Sequence, residues 1–253
     1  MKIHAVTYAT HSQGLFENLV NNDVGVKVEV LGWGKKWNGF RDKFVGVYEF
    51  CNKCKDDDIV VFIDGFDSLI NKDLETIKFR FLKMNCKTLF SKDRYKLNRI
   101  FGQCTADGTV LNSGLYMGYV KYLKLLIKDA INDECKDDQR SMNTLCKKYP
   151  DIITLDTDSL VFKNHTPFEN LKTDTDDACI VSYPGNVLDI KSSVARFIRT
   201  ISEYSQFFIF DIVLLVYAVM ALFPNTQVVI FPLLVIYILY FVTHSDKSCM
   251  VAL

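Results

Sequence analysis

The sequence predicts an α/β fold, and three observations carry that expectation. Residues 59–63, Ile-Val-Val-Phe-Ile, are β-branched or aromatic with no polar alternation, the pattern of a strand covered on both faces, as in a parallel sheet flanked by helices. Strand-like runs at 3–8, 26–31, 88–91 and 152–156 alternate with helix-period stretches at 43–55, 74–83 and 120–131, the order of a layered α/β domain. The last part of the chain, 207–242, differs in character: two long apolar runs separated by Pro224-Asn225-Thr226-Gln227.

With 253 residues there is room for one domain with a full core plus an appendage. Thirty basic residues balance thirty acidic ones, so no nucleic-acid partner is expected. Eight cysteines are scattered, and Cys51-Asn52-Lys53-Cys54 is the one CxxC spacing. Without a second such pair or a His pair it reads as two thiols in a helix, in a reducing compartment, rather than a zinc site.

Met1-Lys2 leads directly into the strand Ile3–Tyr8 with no apolar run of secretory-signal length. Thr10-His11-Ser12 then makes a polar turn of the kind that follows a strand at a nucleotide site, with Thr10 a candidate nucleotide contact and His11 a weaker ligand candidate. The strand 26–31 opens the loop Gly32-Trp33-Gly34-Lys35-Lys36-Trp37-Asn38-Gly39-Phe40. An indole beside glycines can stack on a base, and Lys can meet phosphate. Trp37 fits either that role or a core anchor, and Trp33 is expected in the core. From Lys43 to about Lys55 a helix places Phe44, Val47, Tyr48 and Cys51 on one face.

The run 59–63 ends in Asp64-Gly65-Phe66-Asp67. Two carboxylates at the C-terminal edge of a strand lie where open α/β sheets hold ligands. Hard cations such as Mg²⁺ and Mn²⁺ take oxygen donors, often one or two carboxylates plus substrate phosphates. Asp64 and Asp67 are therefore candidate ligands for a metal-bridged diphosphate; the plainer alternative is a helix cap and a turn. After the helix 74–83 and the strand 88–91, Lys92-Asp93 falls at another strand end. Leu111-Asn112-Ser113-Gly114 then places small and amide side chains in an apolar run, which permits close backbone approach and a hold on a ligand hydroxyl. A helix follows at 120–131. The acidic cluster 133–139 opens the next one, a placement that the helix dipole favours in any case. The strand 152–156 and a partner at 159–162 close the domain.

In this order the Gly/Trp loop, FIDGFD, LFSKD, LNSG, the acidic DDQ helix and ITLD…VF resemble the glycosyltransferase domain of multifunctional procollagen lysyl hydroxylases, over about residues 3–164. The resemblance implies a GT-A-like nucleotide-sugar-binding fold with a mixed, mostly parallel sheet, a UDP-sugar donor and Mn²⁺ (or Mg²⁺). It matches Asp64 and Asp67 to the family's metal-binding DxxD and Trp37 to the Trp of its EEWRGG loop. Asn112, Ser113 and Gly114 correspond to its LNSGG. Asp137, Asp138 and Gln139 correspond to the end of its poly-Asp helix on the acceptor side, and Asp93 stands where the family has Glu. Trp37, Thr10, Asp64, Ser113 and Gly114 are thus expected to contact the nucleotide-sugar, and Asn112, Asp137 and Asp138 to position sugar and acceptor as catalytic candidates. The family closes its metal site with the His of VVHGNGPTK. The corresponding stretch here, Val181-Ser182-Tyr183-Pro184-Gly185-Asn186, has none, and His165 lies elsewhere in the pattern. No segment matches the hydroxylase domains, so lysine hydroxylation is not expected.

The expected organisation is a catalytic domain at 1–190, a basic juxtamembrane segment at 191–206, a two-helix membrane hairpin at 207–242 and a tail at 243–253. Lys191, Arg196, Arg199 and Lys247 flank the hairpin, which by the positive-inside rule places the catalytic domain in the cytosol and leaves the sequon Asn164-His165-Thr166 unused. The functional expectation is a membrane-anchored, Mn²⁺-dependent transferase moving a hexose from a UDP-sugar to a protein or glycan hydroxyl. The alternative is a non-catalytic GT-A-like binding or scaffold protein at a membrane. An aspartyl-nucleophile phosphatase is disfavoured because it spaces its pair Asp-x-Asp.

Overall fold

The apolar run 59–63 forms the strand β3 (Ile59–Ile63), every residue of which is buried. A computed structural model of the chain describes residues 1–93, 102–133, 135, 137–165, 177–184, 209–222, 231–232 and 234–236. The other strands are β1 (Ile3–Tyr8), β2 (Val28–Leu31), β4 (Ser68–Ile70), β5 (Thr88–Lys92), β6 (Leu111–Tyr119), β7 (Ile153–Asp156), β8 (Phe162–Asn164) and β9 (Ile180–Ser182). The helices are α1 (Phe16–Val20), α2 (Arg41–Cys51), α3 (Leu74–Lys83), α4 (Val120–Asn132), α5 (Asp138–Lys148) and α6 (Ile209–Leu222).

Among the described residues, six strands form one sheet in the order β2-β1-β3-β6-β5-β7. β1 runs parallel to β2 and β3, and β5 parallel to β7, whereas β6 is antiparallel to both β3 and β5. The sheet is therefore mixed and mostly parallel. An unbroken apolar run reports burial on both faces but not the direction of a neighbour, so the antiparallel β6 beside β3 does not follow from the pattern of β3. β4, β9 and β8 make a second, three-stranded sheet.

The period-2 geometry of β3 sorts its side chains into two cores. Val60 and Phe62 face a layer of α2, α4 and α5, with Phe44, Val47, Leu123, Leu126 and Met142 among the buried residues. Ile59, Val61 and Ile63 face Leu19 of α1, Ile77 and Phe81 of α3, and Phe162 and Ile180 of the small sheet. Each such side chain contributes roughly 1.5–3 kcal/mol on full burial. The sharp turn after β7 is closed by Asp156, whose buried carboxylate accepts backbone N–H bonds from Leu160, Val161 and Phe162.

The chain divides into two units, Met1–Val187 and Leu188–Leu253. In the second, the described part of α6 has 14 residues, about 21 Å of helix at ~1.5 Å per residue, against a hydrocarbon core of about 30 Å. No helix among the described residues is long and apolar enough to cross a membrane, so the expected hairpin at 207–242 finds no support. Its turn at 224–227 and most of its second run lie outside the described residues, as do the flanking Lys191, Arg196, Arg199 and Lys247.

Candidate functional site

The site gathers at the C-terminal ends of β1, β2 and β3. Asp64 follows β3 directly, and its N–H donates to the Gly114 carbonyl in β6 at 2.8 Å. Gly114 has no side chain to hold the two strands apart: a Cβ there would lie 3.5 Å from Asp64 Oδ2 and 3.0 Å from Asn112 Oδ1. The next residue, Gly65, is needed for a similar reason, since a Cβ would come within 2.9 Å of Thr7 Oγ1 on β1. The turn then delivers Asp67. Its Oδ1 accepts from Ser182 Oγ at 3.0 Å and Ser68 Oγ at 3.3 Å, and its carbonyl accepts from the Tyr183 N–H.

Lys43, in the first turn of α2, points into this site rather than into solvent. Its Nζ donates to Asp64 Oδ2 at 2.8 Å and lies 3.7 Å from Asp138 Oδ2, over the ring of Phe40. Burial opposes its charge, but Asp64, Asp138 and Asp67 outweigh that and hold the ammonium above its ordinary value. Asp138 opens α5 and is buried. Desolvation pushes its carboxyl up to about 6, with Asp137 and Asp64 adding to the rise and Lys43 and Ser113 opposing it. Asp137 caps α5, its Oδ1 accepting the Arg140 N–H at 2.8 Å. Of the two expected acceptor-side carboxylates, Asp138 is the one brought to Asp64.

Asn112 serves the local backbone. Its Oδ1 accepts the Gly114 N–H at 2.8 Å, and its Nδ2 lies 3.5 Å from Asp93 Oδ2, which also accepts from Gln139 Nε2 at 2.9 Å. Asn143 of α5 holds both the N–H and the carbonyl of Leu111. Loop, strand and helix are thus locked into one frame, which a disulfide between Cys104 and Cys146 reinforces.

The Gly/Trp loop lies over the end of β1. Tyr8 is sheathed by Gly32 and Gly46, where added Cβ atoms would come within 2.5 and 2.7 Å of its ring; Gly32 also has φ +81°, a conformation that favours glycine. Trp37 leans on Tyr8 at 6.0 Å and meets Phe40 edge-on at 5.7 Å, and it is 39% exposed. It is therefore no core anchor. Trp33, expected in the core, is 55% exposed and stacks at 5.1 Å on Phe16 of α1, which is buried, so that Trp33 covers the core from outside. The Thr10 carbonyl accepts the Gly34 N–H, and Thr10 Oγ1 lies 2.9 Å from His11 Nδ1. His11 packs on Phe66 between the two aspartates in sequence.

Lys43 and Ser182 were not singled out by sequence reasoning. Lys43 sits four residues before Val47 on the face expected to be buried, a signal that was available; Ser182 reaches Asp67 across 115 residues, for which no local signal exists. His165 stacks on Tyr183, and its N–H donates to the Ser182 carbonyl, so this histidine lies one strand from Asp67. Among the described residues no group of three His, Cys, Asp or Glu side chains is placed to hold a metal ion. What Asp64 and Asp67 offer is a pair of hard oxygen donors at the end of β3, a set suited to a divalent cation that keeps waters or phosphate oxygens. Cys51 and Cys54 remain separate thiols, Cys51 pushed up to about 12 by burial.

Sheet order, strand-end carboxylates and the loop over β1 fit a GT-A-like α/β domain with its candidate site at the strand ends. The sequence matches the family described as PLOD GT domain over residues 1–181, and the chain belongs to that family, the glycosyltransferase domain of procollagen lysyl hydroxylases. It is 28% identical over 182 residues to a multifunctional procollagen lysine hydroxylase and glycosyltransferase of Caenorhabditis elegans, covering 63% of this chain and 25% of that protein. It is 25% identical over 184 residues to a procollagen-lysine,2-oxoglutarate 5-dioxygenase of Drosophila melanogaster, covering 64% of this chain and 25% of that protein. An uncharacterized protein R699 of Acanthamoeba polyphaga mimivirus is 26% identical over 161 residues, covering 53% of this chain and 35% of the relative. The chain therefore spans a quarter to about a third of the length of these relatives.

Proposed function

We propose that the chain is a divalent-metal-dependent glycosyltransferase that moves a hexose from a UDP-sugar to a hydroxyl acceptor. The observation that carries this reading is the seat of Asp64. It closes β3, backs on to Gly114, and shares a buried cation with Asp138. Asp64 and Asp67 would hold Mn²⁺ or Mg²⁺, which when bound supplies charge neutralisation for the departing nucleoside diphosphate. Ser182, in the stretch that corresponds to the family's VVHGNGPTK, donates to one oxygen of Asp67. Trp37, propped by Tyr8 and Phe40, would offer an indole face for uracil, and Thr10 holds the same loop through its carbonyl contact with the Gly34 N–H. Ser113 and Gly114 would contact the sugar, Asn112 keeps that stretch of β6 in shape, and Asp138 would position or deprotonate the incoming acceptor hydroxyl.

A second reading has its own support. With Lys43 seated on Asp64 and Ser182 in the stretch where the family has His, the domain suits a binding or scaffold protein that has lost turnover. A screen of UDP-sugars for Mn²⁺-dependent UDP release tests both: release supports the transferase, and nucleotide binding without release favours the scaffold.

Placement at a membrane rests on the apolar composition of 207–242 alone, and pelleting of the full chain with membranes after alkaline washing tests it. The expected cytosolic orientation competes with the Cys104–Cys146 disulfide, which favours an oxidising compartment. We place the catalytic unit there. Asn164 Nδ2 donates to the Lys92 carbonyl, so the sequon would be a poor glycan acceptor in either setting.

A further inference from the structure

The buried cation has two partners and touches only one of them. Lys43 Nζ is at hydrogen-bonding distance from Asp64 Oδ2, 2.8 Å, and stops short of Asp138 Oδ2 at 3.7 Å. Asp138 Oδ2 is itself buried and has no hydrogen-bond partner among the described residues. A buried acceptor left in that state is costly, and an ammonium carries three donors. A shift of roughly 1 Å at the end of a flexible four-carbon stem would bring the two into a normal charged hydrogen bond. Two positions are thus open to one ammonium, and the carboxylate it would leave is the one proposed to bind metal.

We infer that Lys43 is a positioning residue that moves from Asp64 to Asp138 when Asp64 takes a divalent cation, so that loading the donor side fixes the acceptor-side carboxylate. This rests on the reading of Asp64 and Asp67 as metal ligands. In the metal-free protein Lys43 neutralises Asp64, which would otherwise face Asp138 and Asp67 uncompensated. With metal bound, the like-charged ammonium is repelled towards the oxygen that lacks a partner. Asp138 then gains a fixed orientation only when the donor side is occupied, which would discourage acceptor binding in an empty site. By linkage the effect is reciprocal: whatever strengthens the Lys43–Asp138 contact must also strengthen metal binding at Asp64.

The test is a double-mutant cycle on metal affinity. Mn²⁺ binding is measured without nucleotide, by loss of the free-ion electron paramagnetic resonance signal, for wild type, Lys43→Met, Asp138→Asn and the double variant, with melting temperatures alongside. Lys43→Met should bind Mn²⁺ about fivefold or more tightly than wild type, because no ammonium competes; a role confined to stabilising the fold would not tighten it. Asp138→Asn should bind several-fold more weakly, because Lys43 loses its second seat. That loss should largely vanish in the Lys43→Met background. Where Lys43→Met alone does not fold, the double variant, which lacks the orphaned carboxylate, must still bind more tightly than Asp138→Asn. Equal or weaker affinity in folded Lys43→Met, or the same penalty for Asp138→Asn in both backgrounds, would overturn the inference while leaving the metal site standing. No Mn²⁺ binding by any of the four proteins would overturn the metal reading, and the inference with it.

Discussion

Ser182 Oγ donates to Asp67 Oδ1 across 3.0 Å, tying β9 of the small sheet to the turn that ends β3. The small sheet therefore does more than cover one face of the core: it fixes the second candidate metal ligand. Hydrogen bonds to charged groups contribute about 1.5–3 kcal/mol. Ser182→Ala should accordingly weaken Mn²⁺ binding roughly tenfold, about 1.4 kcal/mol, and lower the melting temperature by several degrees, on the order of 2–4 °C per kcal/mol for a unit of this size. Isothermal titration with Mn²⁺ checks it, and unchanged affinity would remove Ser182 from the site.

Trp37 offers a separable test. Its partial exposure and its props, Tyr8 and Phe40, leave an indole face for a base. Base–aromatic stacking is worth about 1–3 kcal/mol, so Trp37→Ala should raise the Kd for UDP about tenfold or more. Stability should fall well short of the roughly 3–5 kcal/mol lost when a fully buried large aromatic is cut to Ala. Melting temperature and UDP binding on the same variant decide it; a large stability loss with unchanged UDP affinity would contradict the assignment.

Asp138 predicts a pH dependence. Burial is the first cause of its raised carboxyl, at about 6. Because the folded value lies above the unfolded one, its contribution to stability is whole below about pH 4 and is lost as pH rises through about 6. Relative to Asp138→Asn, wild type should lose melting temperature across that window. On the proposed acceptor role, which uses the ionised form, UDP release in the presence of acceptor should rise over the same range. Parallel profiles for wild type and Asp138→Asn would show that this carboxyl does not set either.

The Cys104–Cys146 bridge closes a loop of 42 residues in sequence separation. The chain-entropy relation gives about 4 kcal/mol for such a loop, or a fall in melting temperature on the order of 10 °C for a unit of this size. Cys104→Ser or reductant should produce that fall, and equal melting curves with and without reductant would argue against the bridge.

The parts of the molecule legible in the sequence are those with local pattern. The run 59–63 announced β3, and Asp64 and Asp67 at its end marked the candidate site, because a buried strand and a turn are short-range events. The direction of β6 was not legible, since an apolar strand carries the same pattern whichever way its neighbour runs. β4 and β9, each of three residues, are too short to display a period. Asp137 and Asp138 look alike in sequence. They part only because α5 begins between them, giving Asp137 the cap and Asp138 the interior. Trp33 was assigned to the core without α1 in view, and it is Phe16 of α1 that holds it at the surface. Lys43 was hidden by its type, as a lysine on a helix is ordinarily a solvated one.

The central claim is that Asp64 and Asp67 bind a divalent cation that serves UDP-sugar cleavage. Asp64→Asn and Asp67→Asn, which keep a polar neighbour for Lys43 and Ser182, test it in an assay of Mn²⁺-dependent UDP release on protein shown to be folded by its melting curve. Each variant should lose activity by on the order of 10²–10³-fold, as when a group that stabilises transition-state charge is removed. Near-wild-type UDP release from both folded variants would contradict it.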